Sequence, residues 1–89
     1  MCRNITTLRG LEPEATDEEI EAASRQFVRK ISGITKPSKV TEERFEQAVR
    51  EITVIATALL EELPPRKNPP PTEPPLRRIA RREAEAAAV

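Results

Sequence analysis

The sequence has no histidine, tryptophan or tyrosine, and only one cysteine, two glycines and two phenylalanines in 89 residues. Without histidine there is no Cys-His or Ser-His-Asp nucleophile and no imidazole ligand for a metal. Without tryptophan or tyrosine there is no row of aromatic platforms on which single-stranded nucleic acid could stack. The lone Cys2 cannot close an internal disulfide, and no apolar run approaches the ~20 residues of a membrane-spanning helix. No signal-peptide pattern is present, so a reduced, cytoplasmic setting is expected. An excess of one charge is missing too. The 15 Lys and Arg balance the 15 Asp and Glu, leaving no whole-molecule field to draw the chain to nucleic acid or an anionic membrane.

What is present is helix punctuation. Asn4 as N-cap and Gly10 as terminator frame a very short helix with Ile5 and Leu8 on one face. Thr16-Asp17-Glu18-Glu19 is a capping box, in which the Thr hydroxyl and the Glu carboxylate each satisfy an otherwise unpaired backbone N–H. The stripe Ile20, Ala23, Ser24, Phe27, Val28, Ile31 follows at helical spacing and stops at Gly33. After Lys36-Pro37-Ser38, Thr41 is placed to cap a third helix, with Glu42 and Glu43 near its positive end. Phe45, Ala48, Val49, Ile52, Ile55, Ala56, Leu59, Leu60 and Leu63 then recur until Pro64.

The expectation is an all-α fold over residues 1–63, a short N-terminal helix plus an antiparallel helical hairpin, with Phe27 and Phe45 as its large packing side chains. At 1.5 Å per residue the hairpin helices are about 25 and 34 Å long, so Ile5, Leu8 and Leu11 are expected to cover the overhanging end. A core of about 60 residues buries only ~60% of the unfolded surface, which makes support from another chain useful.

One stretch breaks the amphipathic pattern. Ile52 to Leu60 carries no charge on any face, and Val54 projects nearly opposite the stripe beside Thr53, Thr57 and Ala58. A helix uncharged all round usually has something packed on both sides, here either a second chain or the protein's own tail. That tail holds seven of the nine prolines between Pro64 and Pro75, the composition of an extended linker of about 37 Å. Residues 76–89 then set Leu76, Ile79, Ala80, Ala84 and Ala87 opposite Arg77, Arg78, Arg81 and Arg82, a helix expected to form fully only against a surface.

Taken together, Met1 to Leu8, Leu11-Glu12-Pro13, Ala15 to Ile20, Phe27 to Gly33 and Lys36-Pro37-Ser38 resemble a family of small bacterial proteins, domain of unknown function 2277. The resemblance covers residues 1–63 and implies no activity. Leu8 to Ile31 is also similar to the start of the chaperone J domain, which implies a short helix ahead of a long antiparallel pair. That domain's His-Pro-Asp signature would fall near Ser32-Gly33-Ile34, and a chain without histidine does not carry the signature's ATPase-stimulating activity over.

The chemical candidates are few. Cys2, exposed by removal of Met1, would be an N-terminal nucleophile with its own amine as base; the ordinary reading is a thiol with no task. Arg29, Lys30, Lys36 and Lys39 surround a hydroxyl-bearing loop beside a helix start, a candidate anion site against the ordinary reading of solvated charges. Pro71-Thr72-Glu73-Pro74 matches a minimal PxxP ligand, as any proline-rich spacer can. The expected function is a non-catalytic interaction or accessory subunit, binding a protein partner or a second copy of itself through Val54, Ile55, Ala58, Leu76 and Ile79. No catalytic residue, cofactor or metal is assigned. The alternative is weak, salt-dependent nucleic-acid contact through Arg77, Arg78, Arg81 and Arg82.

Overall fold

A computed structural model of the chain describes residues 5–88. It is all-α, with α1 over Asp17–Ser32, α2 over Glu42–Glu62 and α3 over Pro75–Ala87. The helix α1 begins as its sequence dictates. Glu19 N–H donates to Thr16 Oγ1 at 3.1 Å and Thr16 N–H donates to Glu19 Oε1 at 2.8 Å, a complete capping box. It ends at Gly33, whose φ of 71° is the left-handed cap that a side chain would resist.

The start of α2 differs from expectation. The Thr41 side chain does not cap it; Thr41 Oγ1 instead accepts from Ser38 N–H at 2.9 Å, and Glu42 N–H donates to Ser38 O at 2.8 Å. A turn closed at Ser38 feeds the chain into the helix already wound. Glu42 and Glu43 occupy the first turn as expected.

α1 and α2 pack as the hairpin. The core is Val28 from α1 with Phe45 and Val49 from α2, flanked by Ile34, Ala48 and Ile52, and Val49 is only 1% exposed. Ile20, Ser24 and Val28, each four residues apart, form the buried line of α1. Ser24 stays buried because its hydroxyl donates to Ile20 O at 3.0 Å. Phe27, expected in the core, is 45% exposed, and Ile31 is exposed as well. The line through Ile20, Ser24 and Val28 drifts around the helix and carries the contact away from Phe27. Arg25 ties the two helices at their rim, donating to both oxygens of Glu46 at 2.6 and 2.8 Å and lying 5.9 Å from the Phe45 ring centroid.

The short N-terminal helix is not formed. Ile5 to Leu8 has no regular secondary structure, Arg9 and Gly10 make a turn, and Asn4, its expected cap, lies outside the described residues. One hydrogen-bonded turn fixes too many dihedrals to persist alone, and the segment finds other partners. Leu11 is buried, and Leu8 shares a cleft with Thr57, Leu60 and Leu63 at the far end of α2, so the overhang is covered without a helix. The Arg9 guanidinium donates to Pro64 O at 2.9 and 2.6 Å. Gly10 adopts φ 85°, and a Cβ there would lie 2.9 Å from Arg66 Cβ, so a glycine is needed for both conformation and space.

Candidate functional site

The arm after α2 brings α3 back to α1. Pro75 stands in the first turn of α3, where a missing N–H is harmless, and Pro74 is buried. Arg77 reaches Glu19 on α1, with Nε 2.6 Å from Oε2 and Nη2 3.0 Å from Oε1, and also donates to Pro13 O at 2.6 Å. Glu19 is buried, yet its carboxyl is held below the usual range, chiefly by hydrogen bonds from Arg77, with burial opposing and the Thr16 bonds assisting. Arg81 pairs with Glu73 on the surface.

Between α1, α3 and the N-terminal segment lies a cavity of about 330 Å³. Leu8, Ala22, Ala23, Leu76 and Ile79 give it largely apolar walls. At 100° per residue, Ala22, Gln26 and Arg29 sit on the side of α1 away from Ile20 and Ser24, so α3 approaches α1 on the side opposite α2. Two polar atoms of residues lining this cavity, Thr6 Oγ1 and Arg29 Nε, are buried and have no hydrogen-bond partner.

The tail therefore does not cover the uncharged stretch of α2. Val54 is 68% exposed, Ile55 69% and Leu59 54%, with Ala58 exposed among them. Thr53 and Thr57 donate to Val49 O at 2.6 Å and Thr53 O at 2.8 Å, so their hydroxyls are satisfied within the helix. The result is an arc of α2 without charge or unmet polar groups from Val54 to Leu59.

The residues singled out from the sequence separate into three places. Val54, Ile55 and Ala58 share the bare arc of α2, while Leu76 and Ile79 are half-exposed on α3 against the other side of α1. Of the candidate anion site, Arg29 belongs to the α1–α3 cavity, whereas Lys30, Lys36 and Lys39 are exposed and line neither described cavity. Of the four tail arginines, Arg77 and Arg81 are engaged with carboxylates of the same chain. Cys2 lies outside the described residues. Among the described residues no group of three or more acidic or sulfur ligands is placed to hold a metal, and no helix is long and apolar enough to cross a membrane.

Sequence reasoning missed Glu19, Thr6 and Gln26. Glu19 reads as fully used by its capping box, although a carboxylate has a second oxygen to offer. Thr6 and Gln26 carry no signal in their spacing; only the return of the tail gives them a shared wall.

The family model described as uncharacterized conserved protein, DUF2277, matches residues 1–88, and the chain belongs to that family. The match runs through the arm and α3, past residue 63 where the sequence resemblance was drawn to end. No curated protein and no solved structure matches the chain.

Proposed function

We propose that this member of the DUF2277 family is a non-catalytic interaction protein that binds a protein partner through the bare arc of α2. The observation that carries the reading is the exposure of Val54, Ile55 and Leu59 on a helix whose own tail is engaged elsewhere. Fully burying one such side chain is worth about 1.5–3 kcal/mol, and three adjacent ones form the apolar centre of a docking patch. Leu76 and Ile79 supply a second contact from α3 to a partner that reaches around the hairpin, and two linked contacts raise avidity through effective concentration. The test is a photo-crosslinking residue at Ala58 in the full chain, in cells, with Val54→Asp as its control. A single cross-linked protein that disappears in Val54→Asp at unchanged helicity supports the reading, and a complex that survives the substitution removes it.

The alternative of nucleic-acid contact through Arg77, Arg78, Arg81 and Arg82 is weakened because the Arg77 and Arg81 charges are already opposed by Glu19 and Glu73.

A further inference from the structure

We propose that the loop end of the helical hairpin docks on an anionic membrane surface, with Val40 and Ile31 entering the headgroup layer and Lys30, Lys36 and Lys39 meeting the lipid phosphates. A turn sets the corner of this end. Thr41 N–H donates to Ser38 O at 3.1 Å, so Lys39 and Val40 are the turn's two central residues. Val40 is 92% exposed, the most exposed large apolar side chain among the described residues, and Ile31 in the last turn of α1 is 68% exposed. The corner is braced. Ser38 N–H donates to Thr41 Oγ1 at 2.9 Å, and Ser32 Oγ accepts from Ile34 N–H at 3.1 Å while donating to Val28 O at 2.6 Å. A frame already tied together loses little freedom on docking.

The charge at this end is of one sign. Residues 22–41 include five Lys and Arg and no Asp or Glu. Arg25 is held by Glu46 and Glu21, and Arg29 belongs to the α1–α3 side. Lys30, Lys36 and Lys39 remain, all exposed and none in an ion pair among the described residues. Glu42 and Glu43 follow in the first turn of α2, where the positive end of the helix offsets part of their charge. Lysine suits such an edge, because its apolar stem covers hydrocarbon while its ammonium stays at the level of the phosphates.

Branched apolar side chains interleaved with cations at a corner fit a lipid interface better than an acidic protein. Ile31, Val40 and the three lysines line neither described cavity, so no pocket at this end receives a protein side chain. An acidic segment would pair with the lysines and leave Val40 and Ile31 in water. An anionic bilayer meets both, with phosphate at its surface and hydrocarbon beneath. The chain as a whole is balanced in charge, so the attraction is confined to this end and acts within a Debye length of about 8 Å at physiological salt. The arc of α2 begins about 18 Å further along that helix, so a docked chain still presents it and the two readings are independent.

The experiment sediments the full chain with vesicles of phosphatidylcholine, alone or mixed with phosphatidylglycerol. Binding is expected to the mixed vesicles only, with release at about 1 M salt. The chain has no tryptophan, so Val40→Trp supplies a single reporter whose emission should move to the blue on the mixed vesicles. Lys36→Gln with Lys39→Gln should lower affinity about twentyfold, at roughly fivefold per lysine, and Val40→Ser about threefold or more. These exposed positions should leave the melting temperature unchanged. No binding to the mixed vesicles at about 1 mM lipid overturns the proposal, as does equal binding to phosphatidylcholine alone. An unshifted Val40→Trp emission, or affinity unchanged in the lysine pair or in Val40→Ser, overturns it too. Polyglutamate bound as tightly as the mixed vesicles overturns it in favour of an acidic protein, and an equal loss in Arg82→Glu moves the contact to the tail.

Discussion

Arg77 grips the carboxylate of Glu19 across 58 residues of sequence, and that same carboxylate accepts the Thr16 N–H that opens α1. One side chain therefore serves both the start of a helix and the seating of the tail. The ion pair is nearly enclosed, so its two members are strongly dependent on each other.

Arg77→Met should free α3 and leave Glu19 buried with only its capping bonds. A loss of about 1–3 kcal/mol is expected, less than for a wholly enclosed pair because the cap remains. Limited proteolysis between residues 64 and 75 should accelerate, and helicity should fall by the share due to α3. Unchanged protection of the arm would show that the tail is held by something other than this pair.

Acid should act on the same contact. The folded Glu19 carboxyl titrates below its ordinary value of 4.5, so its stabilisation is complete above that value and is lost as pH falls through the lower, folded one. Melting temperature should therefore drop below about pH 4.5 more steeply in the parent than in Glu19→Gln. Glu46 is lowered in the same direction, first by its hydrogen bond from Arg25, so some acid slope should persist in the variant. With no histidine in the chain, little change is expected between about pH 6 and 8.

The capping box should be coupled to the tail. Thr16→Ala should cost about 0.5–2 kcal/mol. Combined with Arg77→Met, the two losses should depart from additivity by about 0.5 kcal/mol or more, because both act on Glu19. Additive losses in denaturant melts would mean that the cap and the ion pair are independent.

The two phenylalanines should behave oppositely. Phe45→Ala should cost about 3–5 kcal/mol as a core truncation. Phe27→Ala should stay below about 1 kcal/mol, since that ring is half in solvent. Similar losses at both positions would place Phe27 against something the free chain does not provide.

At the two glycines the backbone makes the prediction. Gly33→Ala should cost about 1 kcal/mol, from φ alone, because open space surrounds the missing Cβ. Gly10→Ala should cost more, since φ is also positive there and the new methyl meets Arg66 at 2.9 Å. Melts of the two variants side by side test the order.

Local rules made the hairpin legible. Thr16 and Glu19 announce the start of α1, Gly33 its end, and the recurrence of Phe45, Val49 and Ile52 the buried side of α2. The errors arise where a long-range partner decides. Ile5 and Leu8 have helical spacing, but their segment is used to cover α2 and to bring Arg9 to Pro64. Phe27 belongs to a stripe wide enough for two contact lines, and only the direction of packing selects Val28 over it. The seat of the tail was invisible because a balanced charge count does not say which arginine finds which carboxylate. The bare arc of α2 was legible, since Val54 among threonines and alanines marks a helix with no charged side. The cavity was not, because its walls come from three segments that meet only after the tail returns.

The bond from Arg9 to Pro64 and the pair between Arg77 and Glu19 also impose an order in time. Residues 33–41 close the α1–α2 pairing, whereas these two contacts close loops spanning 55 and 58 residues. The longer closures cost about 1.6 kcal/mol more in chain entropy, so they gain only once the hairpin has formed a surface to close upon. By loop length the hairpin should form first, with the N-terminal segment and α3 latching afterwards. The exposed arc of α2 is complete at the first of these stages, on a chain whose two ends are still loose.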